Sequence, residues 1–90
     1  MIEIKQHDAD TFEVTVNAMS TTTHTVTVSD GAQQSLTGGQ ATKEDLLRRS
    51  FEFLLERESN TSILRSFDLP VISRYFPEYE RTMKAWAKTG

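Results

Sequence analysis

Four side chains within the first 24 residues, His7, Asp8, Asp10 and His24, are of the imidazole and carboxylate types that hold zinc or manganese. Three of them fall within one short stretch and lack helical ligand spacing, so no metal is expected. His24 runs in phase with Val26 and Val28 and reads as a strand-end histidine at the rim of a core. None of the eight serines sits in a nucleophile elbow. Gly38-Gly39 lacks the spacing and the following lysine of a phosphate loop, and reads as a helix stop. Asn60-Thr61-Ser62 matches a glycosylation sequon. The opening residues Met-Ile-Glu-Ile-Lys form neither a basic nor an apolar leader region, so this triplet reads as a helix cap. No catalytic or cofactor-binding residue is assigned, and the chain is not expected to be an enzyme.

The remaining candidate chemistry is aromatic. Phe67, the run Tyr75-Phe76-Pro77-Glu78-Tyr79 and Trp86, with Arg74 among them, combine the residue types that dominate interface hot spots. The same rings can fill the core of a small domain, since aromatics lead both kinds of burial. Core and interface both stand for Phe67, Arg74, Tyr75, Phe76, Tyr79 and Trp86.

The elements that position these residues follow from periodicity. Over the first 29 residues apolar and polar side chains alternate: Ile2 and Ile4, then Phe12, Val14 and Val16, then His24, Val26 and Val28. Glu3, Lys5, Glu13, Thr15, Thr23, Thr25 and Thr27 point the other way, which predicts a three-stranded antiparallel meander with one wet face. Beyond Ser29 the period changes, and residues 30–90 form the helical part of a single domain. Asp30 is a cap for a short helix through Leu36. Thr42, with acids in the turn after it, opens a helix from Lys43 to about Glu58. The apolar residues of that helix sweep about 200° of its circumference, which predicts two neighbours: the sheet, and either the C-terminal segment or another chain. Asn60 caps a turn holding Ile63, Leu64 and Phe67; Pro70 suits the first turn of a short helix from Leu69 to Tyr75. Pro77 can begin a last amphipathic helix, in which Phe76, Tyr79, Met83, Trp86 and Ala87 recur at helical spacing on one side.

Ninety residues bury only about 60 to 65% of the surface of the unfolded chain, which favours binding over an enclosed active site. The absence of cysteine removes disulfides and thiolate metal sites and fits a reducing cytoplasm. No stretch approaches the roughly 18 apolar residues of a membrane span. The formal charge of -3 is unevenly spread, at -4 over residues 1–41 and +1 over residues 42–90.

Two resemblances add to this. The segment Phe51-Glu52-Phe53-Leu54-Leu55-Glu56-Arg57-Glu58, with Asn60 to Leu69 and Ile72-Ser73-Arg74-Tyr75-Phe76-Pro77-Glu78-Tyr79, resembles a family of small uncharacterised bacterial proteins. That likeness implies a bacterial, cytoplasmic setting and no particular activity. The order Thr25-Val26-Thr27-Val28-Ser29, Asp30 to Leu36, Gly38-Gly39 and Thr42 to Arg57 is similar to a ribbon-helix-helix module. That module dimerises and lays paired strands into the DNA major groove, which implies Thr23, Thr25 and Thr27 as base readers. An acidic ribbon repels phosphate, so nucleic acid is the lesser expectation. The leading one is an α+β, non-enzymatic interaction or regulatory module that takes a protein partner or a second copy of itself, with Phe67 to Trp86 as its contact surface.

Overall fold

Alternation of apolar and polar residues produces three adjacent strands: β1 (Ile2–Gln6), β2 (Thr11–Asn17) and β3 (Thr21–Thr27). The computed structural model describes residues 1–89. The three strands pair antiparallel, with Ile4 opposite Val14 and Val14 opposite His24. This register puts Phe12, Val14, Val16, His24 and Val26 on the buried face. The turn between β1 and β2 closes on Asp8, whose carboxylate accepts from the backbone N–H of Asp10 and Thr11. Those two bonds hold the Asp8 carboxyl below its usual value.

Helix α1 (Asp30–Thr37) begins one residue earlier than the expected cap implies. Ser29 is the cap, accepting from the Ala32 N–H at 3.0 Å, and Asp30 stands in the first turn. Gly38, at φ 61°, closes the helix in the left-handed region open to glycine. Helix α2 (Lys43–Leu55) is capped by Thr42, whose hydroxyl accepts from the Asp45 N–H. It stops three residues short of Glu58 because Arg57 folds back over its end. The Arg57 guanidinium lies 3.6 Å from the Phe53 ring centroid, donates to the Phe53 carbonyl, and donates through Nε to Glu78. A final-turn carbonyl is thereby satisfied by a side chain that also stacks.

The sheet is corrected from three antiparallel strands to four mixed ones. Ser66–Asp68 forms β4, parallel to β3 in the order β1-β2-β3-β4, and lies inside the stretch expected to be helical. Phe67 therefore stands on a strand opposite Val26, rather than in a turn capped by Asn60. A 3-10 turn, Asn60–Ser62, leads into β4, and a second, Leu69–Val71, carries Pro70 into α3 (Ile72–Tyr75). Helix α4 (Tyr79–Thr89) is the last described element.

The wide apolar face of α2 meets the sheet on one side and α4 on the other. Phe53 packs edge-on against Tyr79 with ring centroids 5.3 Å apart. Ser50 donates to the Leu46 carbonyl and accepts from the Tyr79 hydroxyl at 2.6 Å. The helix's second neighbour is thus the chain's own C-terminal segment. Among the described residues no helix is long and apolar enough to cross a membrane.

One cation joins three element ends. The Lys43 ammonium, on a side chain only 11% exposed, reaches Asp10 and Asp30 at 2.6 Å each, and the Ala9 carbonyl at 3.1 Å. Its pKa is raised, first by the hydrogen bond to Asp10 and then by that to Asp30. A raised folded-state value means this contribution to stability is complete below the usual 10.5 and fades as pH climbs through the higher folded value. Lys43→Met is expected to lower the urea midpoint at neutral pH and to flatten the alkaline loss of stability. Parallel urea titrations of both proteins from neutral to strongly alkaline pH check this.

Candidate functional site

Where α2 ends, the chain turns out through Asn60–Ser62, runs along β4 and returns through α3, and a groove of about 360 Å³ opens between these pieces. Leu54 and Glu58 form its α2 side, Ile63, Leu64 and Phe67 its strand side, and Ile72, Tyr75 and Phe76 its far wall. Ile63 and Ile72 are buried at the base. Tyr75 is 64% exposed and Leu64 46% exposed, although both are large and apolar. The walls offer contact area more than acid–base chemistry: Glu58 and the Tyr75 phenol are their titratable groups.

The six expected contact residues separate here. Phe67, Tyr75 and Phe76 meet in the groove wall. Trp86 packs half-buried against the core from α4, and Arg74 is exposed on α3 outside the groove lining. Tyr79 is corrected from contact surface to core: it is 0% exposed, its ring lies against Phe53 and its hydroxyl bonds Ser50. Burial pushes its phenol well above the usual 10.0, against the smaller opposing effect of the Ser50 bond. Leu54, Leu64 and Ile72 also line the groove and were not among the expected contact residues. Leu64 in particular belongs to no helical or strand period, which was the available hint that it faces outward.

The groove's strand side is fixed by a buried polar chain. Asn60 Nδ2 donates to the Ser20 carbonyl at 2.8 Å and to Thr22 Oγ1 at 2.9 Å. His24 is 1% exposed, with Nδ1 2.8 Å from the Leu64 carbonyl and Nε2 2.9 Å from Thr22 Oγ1. One assignment satisfies every partner in the neutral ring: Nδ1 carries the proton to Leu64, and the Thr22 hydroxyl donates to Nε2. Asn60 is therefore a tie between the β2–β3 turn and the strand leading to β4, rather than a helix cap. His24 holds Leu64 by its backbone and leaves the side chain free to line the groove.

The four residues weighed as a metal cluster are dispersed into separate roles. His24 serves this chain, Asp10 binds Lys43, Asp8 closes its turn, and His7 lies 3.6 Å from Glu13. Thr23 and Thr25 are exposed on the open sheet face, and Thr27 is half-buried. β3 is paired with β2 on one edge and with β4 over Thr25–Thr27 on the other, so its pairing groups there are taken within the chain. A two-fold ribbon built on that stretch has no free edge to use.

Fold and groove together define an α+β domain with a mixed four-stranded sheet and an apolar cleft at the β4 edge. No protein-family model, curated protein or solved structure matches the chain.

Proposed function

We propose that this domain is a non-enzymatic protein-interaction module whose contact surface is the groove between α2, β4 and α3. The observation that carries this reading is Tyr75. A tyrosine left mostly exposed beside exposed Leu64, at the mouth of an apolar groove, is poised to contact a partner's apolar side chains. Tyrosine in such a place gives large contact area at small entropic cost, which is the composition of an interface anchor. The partner class is a protein segment that inserts one or two apolar side chains between Tyr75 and Leu64.

Selection of a random peptide library on the intact protein is expected to enrich sequences with closely spaced apolar residues. Tyr75→Ser is expected to weaken the selected peptides at least about thirty-fold, in line with loss of a hot-spot side chain. Enrichment that Tyr75→Ser and Leu64→Ser both leave unchanged would contradict the reading.

A further inference from the structure

We infer that a second copy of this chain pairs with the free edge of β1, at the end of the sheet opposite the groove. β1 is the first strand in the sheet and has β2 on one side alone. Its hydrogen-bonding phase is fixed at both ends: Met1 and Asn17 exchange backbone bonds, and His7 N–H donates to the Thr11 carbonyl. Antiparallel ladders alternate, so Glu3 and Lys5 also turn their backbone groups to β2, while those of Ile2, Ile4 and Gln6 face outward. The Ile2 carbonyl bears this out by accepting from Arg48 Nη1 of α2 at 2.8 Å. Its second lone pair stays available, as do the outward groups of Ile4 and Gln6.

A symmetric antiparallel pairing of two such edges must match outward-facing residues, and three centres do so with more than one outward residue engaged. Centred on Glu3, the two-fold opposes Glu3 to its own copy; centred on Lys5, it opposes two lysines. Centred on Ile4, it pairs Ile4 with Ile4 and Ile2 with Gln6, uses all three outward residues, and sets Glu3 opposite Lys5 of the second copy twice. Those charged pairs fall at the non-hydrogen-bonded positions, where side chains across an antiparallel pair are closest. Glu3 and Lys5 are both exposed, and Lys5 has no ion pair among the described residues. On the other face, half-buried Ile4 would be covered by its own copy and half-buried Ile2 by Gln6 of the second copy. An edge that carries opposite charges at this spacing is self-complementary, whereas a uniformly lysine-bearing edge would repel itself. The product is a continuous eight-stranded sheet with one groove at each far end, a bivalent form of the module that does not depend on the groove being occupied.

Sedimentation equilibrium of the intact chain tests this. A reversible monomer–dimer equilibrium is expected for the wild type. Glu3→Lys or Lys5→Glu, each at an exposed position, is expected to raise the dimer dissociation constant about ten-fold or more, because two attractive contacts become repulsive. An equimolar mixture of the two variants should regain the dimer as a heterodimer, since each then meets its opposite charge. Ile4→Pro removes an N–H that faces away from β2 and should abolish the dimer while leaving the thermal melt of the monomer cooperative. A wild type that stays monomeric at millimolar concentration would overturn the inference. So would a dimer that both charge variants leave intact, or a mixture that fails to recover. A dimer weakened by Tyr75→Ser alone would overturn it too, by placing the two-fold at the groove.

Discussion

Tyr79→Ala is expected to destabilise the domain by about 3–5 kcal/mol, the cost of emptying a fully buried aromatic position. Tyr75→Ala, four residues earlier, is expected to change stability by no more than about 0.5 kcal/mol. The two side chains are chemically identical and differ in surroundings: one lies under α2 against Phe53, the other over an open groove. A chain of this length has a total stability of roughly 5–13 kcal/mol, so the first change threatens folding and the second leaves it intact. Conservative variants separate the ring from its hydroxyl. Tyr79→Phe leaves Ser50 still donating to the Leu46 carbonyl and is expected to cost about 1 kcal/mol. Ser50→Ala strands a buried phenol without a partner and is expected to cost up to about 3 kcal/mol. Chemical denaturation of the four variants checks the order Tyr79→Ala, Ser50→Ala, Tyr79→Phe, Tyr75→Ala.

The second large effect is expected at Asn60. Asn60→Leu keeps the branched heavy-atom outline and removes the amide donor, leaving the Ser20 carbonyl and Thr22 Oγ1 without their amide partner. A loss of about 1–3 kcal/mol follows, since a part-buried acceptor deprived of its donor loses more than the net worth of one bond. The loss should also be local. Asn60 joins the β2–β3 turn to the strand entering β4, and β4 is held to β3 over only three residues, together with the bond from Thr25 N–H to the Arg65 carbonyl. Hydrogen exchange at the Thr25 and Phe67 amides is therefore expected to accelerate far more than exchange in β2. Because Ile63 and Leu64 ride on the same segment, peptide capture by the groove should fall with it. Equal acceleration across all strands would show that Asn60 acts on global stability alone.

These expectations rest on residues that differ in how plainly the sequence announces them. β1, β2 and β3 are legible because one face is buried and the other wet, which writes a period of two into the chain. The starts of α1 and α2 are legible because orphan N–H groups call for a hydroxyl just ahead, although Ser29 rather than Asp30 supplies it. β4 is not legible: Ser66-Phe67-Asp68 is too short to show a period, and its pairing is decided by β3, about 40 residues away in sequence. Asn60 is misread for a related reason. Its neighbours look like a helix start, whereas its amide answers carbonyls on a distant turn that local pattern cannot reveal. The aromatic cluster marks the right stretch of chain without resolving it. Helical phase alone puts Tyr79 with Met83 and Ala87 in the core, but the break at Phe76, where the backbone leaves α3, sends Tyr75 to the other side.

Whether the groove is the contact surface is decided by mapping amide and methyl chemical shifts of the intact protein during titration with a library-selected peptide. Saturable shifts centred on Leu64, Phe67, Ile72 and Phe76, absent in Tyr75→Ser, are expected. Shifts centred instead on the exposed threonine face of β3 or on the outer face of α4, with the groove resonances unmoved, would contradict a contact surface in the groove.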